Sequence, residues 1–201
     1  METNDISDLE RRMQFLTEVE KLKTVYRQNM TVGSERHENS AEHSWHVALM
    51  ALVLGGHAGD SGLDLLTVIT MLLIHDIVEI DAGDTFLYDE QANVDRNERE
   101  ERAAARLFGL LPEEQRDTMI ALWREFEQRS TPEARFAAAL DGMQPVLNHY
   151  CTDGTGVRKH RIPASRVIEK KRYIAEAAPE LWRYTEDVIR RSTEKGLYTE
   201  D

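Results

Sequence analysis

Apolar residues recur at spacings of three and four along most of the chain, while the strict alternation that marks a half-buried strand is nearly absent. From about Ile6 to Tyr26, the positions Leu9, Met13, Leu16, Val19, Leu22 and Val25 predict one inward face of an amphipathic helix. "MTVGSERHE" then reads as a loop. Asn39, with Glu42 three positions later, resembles a capping box opening a helix over "AEHSWHVALMALVLGGHA" that should end near its glycines. Residues 63–80 are apolar on most of the helical circumference, which predicts a central buried helix, and the acidic loop "DAGDTFLYDEQ" follows.

The second half continues in the same period. "DRNEREERAAARLFGLL" carries charges in front and an apolar stripe behind. Pro112 and the pair Thr131-Pro132 sit where a first helical turn tolerates proline. Pro145, inside "EARFAAALDGMQPVLNHY", should kink or interrupt its helix. "CTDGTGVRKHRIP" is the most linker-like segment, and helical patterns return at 167–177 and 180–192. No internal repeat or low-complexity tract is present. The pattern predicts an all-α bundle of about seven or eight helices in a single domain over residues 1–201. Its core should span about 16–150, with a helical extension over about 151–201.

Composition narrows the function classes. Asp and Glu number 37 against 25 Lys and Arg, a formal net charge of −12, which repels polyanions and argues against a long nucleic acid or a membrane surface as partner. A single nucleotide held through a metal stays compatible. The only cysteine, Cys151, can form no internal disulfide, and "METNDISDLERR" lacks the plan of a signal peptide. No apolar run reaches the roughly 18 residues of a membrane span. A soluble, cytoplasmic protein is expected.

Against this background, the stretch "MLLIHDIVEIDAGDTF" is anomalous, because His75, Asp76, Glu79 and Asp84 follow directly on residues that want burial. On a helix of roughly 100° per residue, His75, Asp76 and Glu79 span an arc of about 100° and project toward a common region. Burying such charges requires basic partners or a cation, and no Lys or Arg lies between Leu63 and Thr85. Two other helices offer further ligands. "AEHSWHVA" carries His43 and His46 three residues apart, and "FAAALDGMQP" carries Asp141 as a lone carboxylate in apolar company.

The ordered set His43, His75-Asp76 and Asp141 resembles the H…HD…D signature of the HD-domain metal-dependent phosphohydrolases. With "ENSAEHSWHVA", "HDIVEIDAGD" and "ALDGMQP" around it, the sequence is similar to the subgroup of bacterial 5′-deoxynucleotidases and their human-type HD-domain relatives, over roughly Leu16 to Tyr150. The resemblance implies an HD-domain helical bundle in which His43, His75, Asp76 and Asp141 hold one divalent metal ion. Mn²⁺, Co²⁺ or Ni²⁺ suits that donor set, with Zn²⁺ or Mg²⁺ also possible. It further implies that Glu79 handles a proton, that Asp84 orients water or substrate, and that Arg27 contacts the substrate phosphate. The position after that arginine, aromatic in those enzymes, is Gln28 here.

The implied function is release of phosphate from (deoxy)nucleoside 5′-monophosphates by water, with a small nucleotide as partner and a homodimer as assembly. Two alternatives stay open: an HD-family triphosphohydrolase or phosphodiesterase, and a non-catalytic metal-dependent binding module. Arg36 and the cluster Arg158, Lys159, His160 and Arg161 are further anion candidates. His46 is expected to pack beside the metal residues. His37, His57 and His149 have no motif behind them. Trp45, Trp123 and Trp182 are expected in the core or at an interface.

Overall fold

Side-chain caps open several of the longer helices in the structure, a computed structural model that describes residues 7–200. Residues 1–6 and 201 lie outside the described residues, and with them Ile6, the expected first residue of the N-terminal helix, and the opening of the segment weighed as a signal peptide. Helix α1 (Asp8–Val19) begins at Ser7, which caps it reciprocally with Glu10. Only the second half of the predicted face turns inward: Leu22 is buried and Val19 and Val25 pack on its cluster, whereas Leu9, Met13 and Leu16 are more than half exposed and Phe15 is buried in their place. The reason lies in its docking. Arg11 Nη2 donates to the carbonyls of Gly109 and Leu111 at 3.1 and 2.7 Å, and Phe15 packs against Phe108, so the Arg11–Phe15 side faces in.

The expected continuation to Tyr26 also fails. The chain tightens into a 3₁₀ turn (Glu20–Thr24) and then forms strand β1 (Tyr26–Met30), paired antiparallel with β2 (His37–Asn39). The segment read as a loop is therefore partly a hairpin, whose turn uses Gly33 at φ 76°. Asn39 and Glu42 form the expected capping box at the start of α2 (Ser40–Leu54).

The central apolar helix is shorter than its pattern. Helix α3 (Leu65–Ile74) gives way to a 3₁₀ turn at His75–Val78 and a single turn of α4 (Glu79–Ala82). His75 Nδ1 donates to the Leu72 carbonyl at 2.9 Å, the carbonyl that a continuing α-helix would offer to the Asp76 N–H. Then come α5 (Arg96–Phe108), α6 (Glu113–Gln128) behind Pro112, and α7 (Pro132–Cys151), capped by Thr131. Pro145 does not interrupt α7, which runs on to Cys151, although proline has no N–H to give to the Asp141 carbonyl four residues earlier. The chain ends with α8 (Ala164–Lys171), α9 (Ile174–Ala177) and α10 (Pro179–Glu194).

Helices α2, α3 and α7 share the central cluster, in which Val47, Ala51, Met71, Leu72 and Leu140 are fully buried. Ile174, Ala178 and Leu181 join it from the C-terminal segment. The stretch expected as a linker is instead anchored, with Val157 and Ile162 buried among Val146, Val167 and Val188. A second cluster seats Ile77 and Val78 of the 3₁₀ turn on Ala103, Leu107 and Phe108 of α5. Trp123 is buried and Trp182 packs on the central cluster, but Trp45 is 63% exposed. Among the described residues, no helix is long and apolar enough to cross a membrane.

Candidate active site

Three elements meet at the break between α3 and α4. His43 of α2, His75 of the 3₁₀ turn and Asp141 of α7 each offer a donor atom, all within 4.8 Å of one another. His43 Nδ1 donates to Gln144 Oε1 at 3.2 Å, and Gln144 Nε2 donates to Glu38 Oε1 at 3.0 Å. Glu38 thus orients the glutamine amide, the amide fixes the imidazole tautomer, and His43 Nε2 is left facing Asp141 Oδ1 at 2.9 Å.

At His75, the bond from Nδ1 to Leu72 aims Nε2 inward, 3.0 Å from Asp76 Oδ1 and 3.7 Å from Asp141 Oδ1. That nitrogen is buried and hydrogen-bonded to neither oxygen. Two imidazole nitrogens and a carboxylate oxygen that crowd one point, one of them buried with no hydrogen-bond partner, are what a shared cation requires, so the residues present fit a divalent ion. Burial works to lower the His75 imidazole, but the charges of Asp76 and Asp141 outweigh it and hold the group up at about 9. Burial would likewise raise Asp141, yet the imidazoles of His43 and His75 facing it hold it well below the usual carboxylate range. A proton and a metal ion therefore compete for this group. About a third of the Asp141 side chain is exposed, and its carboxylate faces the cavity.

Asp76 does have a basic partner, and it comes from β1. Arg27 Nη1 lies 2.9 Å from Asp76 Oδ2 and 3.7 Å from Asp84 Oδ1, and Arg27 Nε lies 3.8 Å from Glu38. Glu79 is buried and accepts a hydrogen bond from Ser40 Oγ at 2.6 Å. Burial first, and then the Asp76 charge, push its carboxyl well above the usual range, with Arg27 opposing. Gly83, at φ 75°, turns the chain out of α4 so that Asp84 enters the same cavity. There burial raises the Asp84 carboxyl, and Arg27 opposes the shift.

The cavity has a volume of about 400 Å³ and takes in Arg27, His75, Asp76, Glu79, Asp84 and Asp141. Its wall also includes Gln28 and Asn29 of β1, Phe86, Tyr88, His149, Lys171, Tyr173 and Tyr198, most of which sequence reasoning passed over. His149 is held between the Tyr198 hydroxyl and Asn29 Oδ1, each at 2.9 Å. Burial, then the charge of Lys171, lowers its imidazole to about 3. His46 is exposed rather than packed beside the ligands. Arg36 is tied to Glu42 on the surface, and Arg158 to Arg161 are exposed and outside the cavity wall.

A family model described as "HD domain" matches residues 19–182. The human protein named 5′-deoxynucleotidase HDDC2 is 32% identical over 136 residues, 67% of this chain and 65% of the relative. The match therefore spans just under two thirds of that relative's length. A crystal structure titled as a predicted metal-dependent phosphohydrolase from Magnetospirillum magnetotacticum is 44% identical. It covers 96% of this chain and 98% of its own, with a TM-score of 0.89. An HD-domain phosphohydrolase from Listeria innocua, 20% identical over 92% of this chain and 86% of its own, shares the fold at a TM-score of 0.58. The chain belongs to the HD domain family.

Proposed function

We propose that the protein is a metal-dependent phosphomonoesterase acting on (deoxy)nucleoside 5′-monophosphates. The observation that carries this reading is the convergence of the His43, His75 and Asp141 donors beside a cavity whose wall includes the buried carboxyl of Glu79, held by Ser40. Asp76, 3.0 Å from His75 Nε2, completes a donor set of two imidazoles and two carboxylates suited to Mn²⁺, Co²⁺ or Ni²⁺. When bound, such an ion polarises a phosphoryl oxygen and makes water nucleophilic at neutral pH.

The chain supplies the rest. Arg27 presents its guanidinium at the cavity floor to a phosphate oxygen, and its position between Asp76 and Asp84 fixes that orientation. Glu79, whose carboxyl burial pushes upward and Ser40 points, serves as proton donor to the leaving 5′-oxygen. Asp84, on the far side of Arg27, orients the attacking water. The names of the human and Magnetospirillum relatives support the same chemistry.

Release of inorganic phosphate from a panel of nucleoside mono- and triphosphates, with several divalent ions and in ¹⁸O-labelled water, tests the reading. Label should appear in the phosphate released from monophosphates. Cleavage of triphosphates alone would instead assign the site to a triphosphohydrolase, and turnover of neither would leave a binding module.

The acidic surface fits a small nucleotide better than a long nucleic acid, and the free, exposed Cys151 fits a cytoplasmic setting. A homodimer formed through α2 accounts for Trp45, Leu49, Leu52 and Val53, which are exposed together along that helix, with Leu66 and Leu73 on the adjoining α3.

A further inference from the structure

Lys171 has no part in the chemistry above, yet its placement is unusual. It stands on the stripe Val167, Lys171, Ile174, whose other two members are fully buried, and it is itself only 8% exposed. It also lines the cavity. Among the described residues, no carboxylate lies within ion-pair distance of its ammonium and no hydrogen bond engages it. By contrast, Arg27 is shared among Asp76, Asp84 and Glu38. A buried cation without a partner is costly to the fold unless something anionic arrives.

The position is built from α7. Tyr173, two residues on, donates its hydroxyl to the Ala138 carbonyl at 3.1 Å, and its ring lies under the Arg129 guanidinium at 3.7 Å. It fits because residue 142 is glycine: a Cβ there would stand 2.1 Å from the Tyr173 hydroxyl. Gly142 directly follows Asp141, so the turn from α8 to α9 is docked one residue from a candidate metal ligand. Lys171 feels the charges of Asp141, Arg27 and Arg129, and burial lowers its ammonium to about 8.

We propose that Lys171 is a second phosphate-binding cation of the site, supplied by the C-terminal segment. It would donate to a non-bridging oxygen of the substrate phosphate while Arg27 holds another. This rests on the phosphohydrolase reading, but binding of phosphate can be measured without turnover.

The test uses the full-length, metal-loaded protein and its Lys171→Met and Lys171→Arg variants, with inorganic phosphate titrated calorimetrically and thermal unfolding recorded beside it. Losing one charge-assisted contact should weaken phosphate binding about 10- to 100-fold in Lys171→Met. The melting temperature should be equal or higher, because the variant removes an unpaired buried charge, and Lys171→Arg should recover part of the affinity. Phosphate affinity unchanged in Lys171→Met overturns the proposal. So does a fall in both affinity and melting temperature that Lys171→Arg does not rescue, since that marks a structural role. Phosphate binding that depends on Lys171 in a protein that hydrolyses no nucleotide would uphold the anion site and refute the enzymatic reading.

Discussion

Asp76 and Glu79 stand three positions apart, and both carboxyls feel the charge of Arg27, whose guanidinium lies 2.9 Å from Asp76. Their chemistry separates because Asp76 adjoins the His75 nitrogen while Glu79 is held by Ser40. Glu79→Gln should therefore keep metal and fold while kcat falls by about 10² to 10⁴, the range for losing a general acid or base. Metal analysis beside steady-state kinetics checks it, and loss of the ion would move Glu79 to the ligands. Asp76→Ala should lose metal and activity together. His149 gives a prediction about stability. Its imidazole sits at about 3 in the folded protein against 6.5 when free, so between those values the folded state binds fewer protons than the unfolded one. Its contribution is complete above pH 6.5 and is lost as pH falls below it, at up to about 1.4 kcal/mol per unit. Urea denaturation at pH 7, 6 and 5 should show this slope in the wild type and a shallower one in His149→Asn. At this scale residue type and order singled out His43, His75 and Asp141, which the structure brings together, and Asp76, which it places 3.0 Å from His75 Nε2. Ser40, Glu38, Gln144 and Lys171 were not readable, because a serine at a helix start or a lysine on a helix looks ordinary until tertiary packing places it at the cavity.

At the scale of elements, periodicity located the helices but not their interruptions or their facing. The apolar run of residues 63–80 has one period throughout, and nothing in it announces that the His75 ring takes the Leu72 carbonyl and that His75–Val78 adopts 3₁₀ geometry. The stripe of Leu9, Met13 and Leu16 promised a buried face, but Arg11, anchored on the Gly109 and Leu111 carbonyls just after α5, turns α1 the other way. Strand β1 escaped notice because "YRQNM" has neither β-branched residues nor clean alternation, and its stability comes from pairing with β2. Gly142 is the clearest case of a residue legible only through its neighbours. An interior helical glycine ordinarily gains stability on replacement by alanine, by up to about 1 kcal/mol. Here the added methyl meets the Tyr173 hydroxyl, held in place by its own bond to Ala138. Gly142→Ala should therefore destabilise the protein, by about 1–3 kcal/mol, as overpacking does. It should also raise the KM for the monophosphate by displacing the α8–α9 turn. Chemical denaturation reads the first effect, and an unchanged or higher midpoint would mean that the turn does not lean on α7 as described.

For the molecule as a whole, two opposing forces bear on assembly. A net charge of −12 makes two copies repel, whereas the α2 face offers Trp45, Leu49, Leu52 and Val53 with no charged side chain among them. Exposed apolar patches of this kind on a soluble chain mark interaction sites, and a stable pair needs about 1,200 Å² or more of total buried surface. The balance should respond to salt in a definite direction. Screening shortens the reach of the like-charge repulsion to about 8 Å at physiological ionic strength and leaves the apolar contact unaffected, so the dimer should tighten as salt rises. Sedimentation equilibrium at micromolar concentrations should give twice the monomer mass, shifting further toward dimer between low and moderate salt. Leu52→Lys, which places a charge at the centre of the face, should return the protein to monomer with its metal content unchanged, because α2 presents His43 on the opposite, buried side. A wild-type monomer at every salt concentration would refute the homodimer. A Leu52→Lys protein that stayed dimeric, or a dimer that weakened with salt, would move the contact to a different and more polar surface.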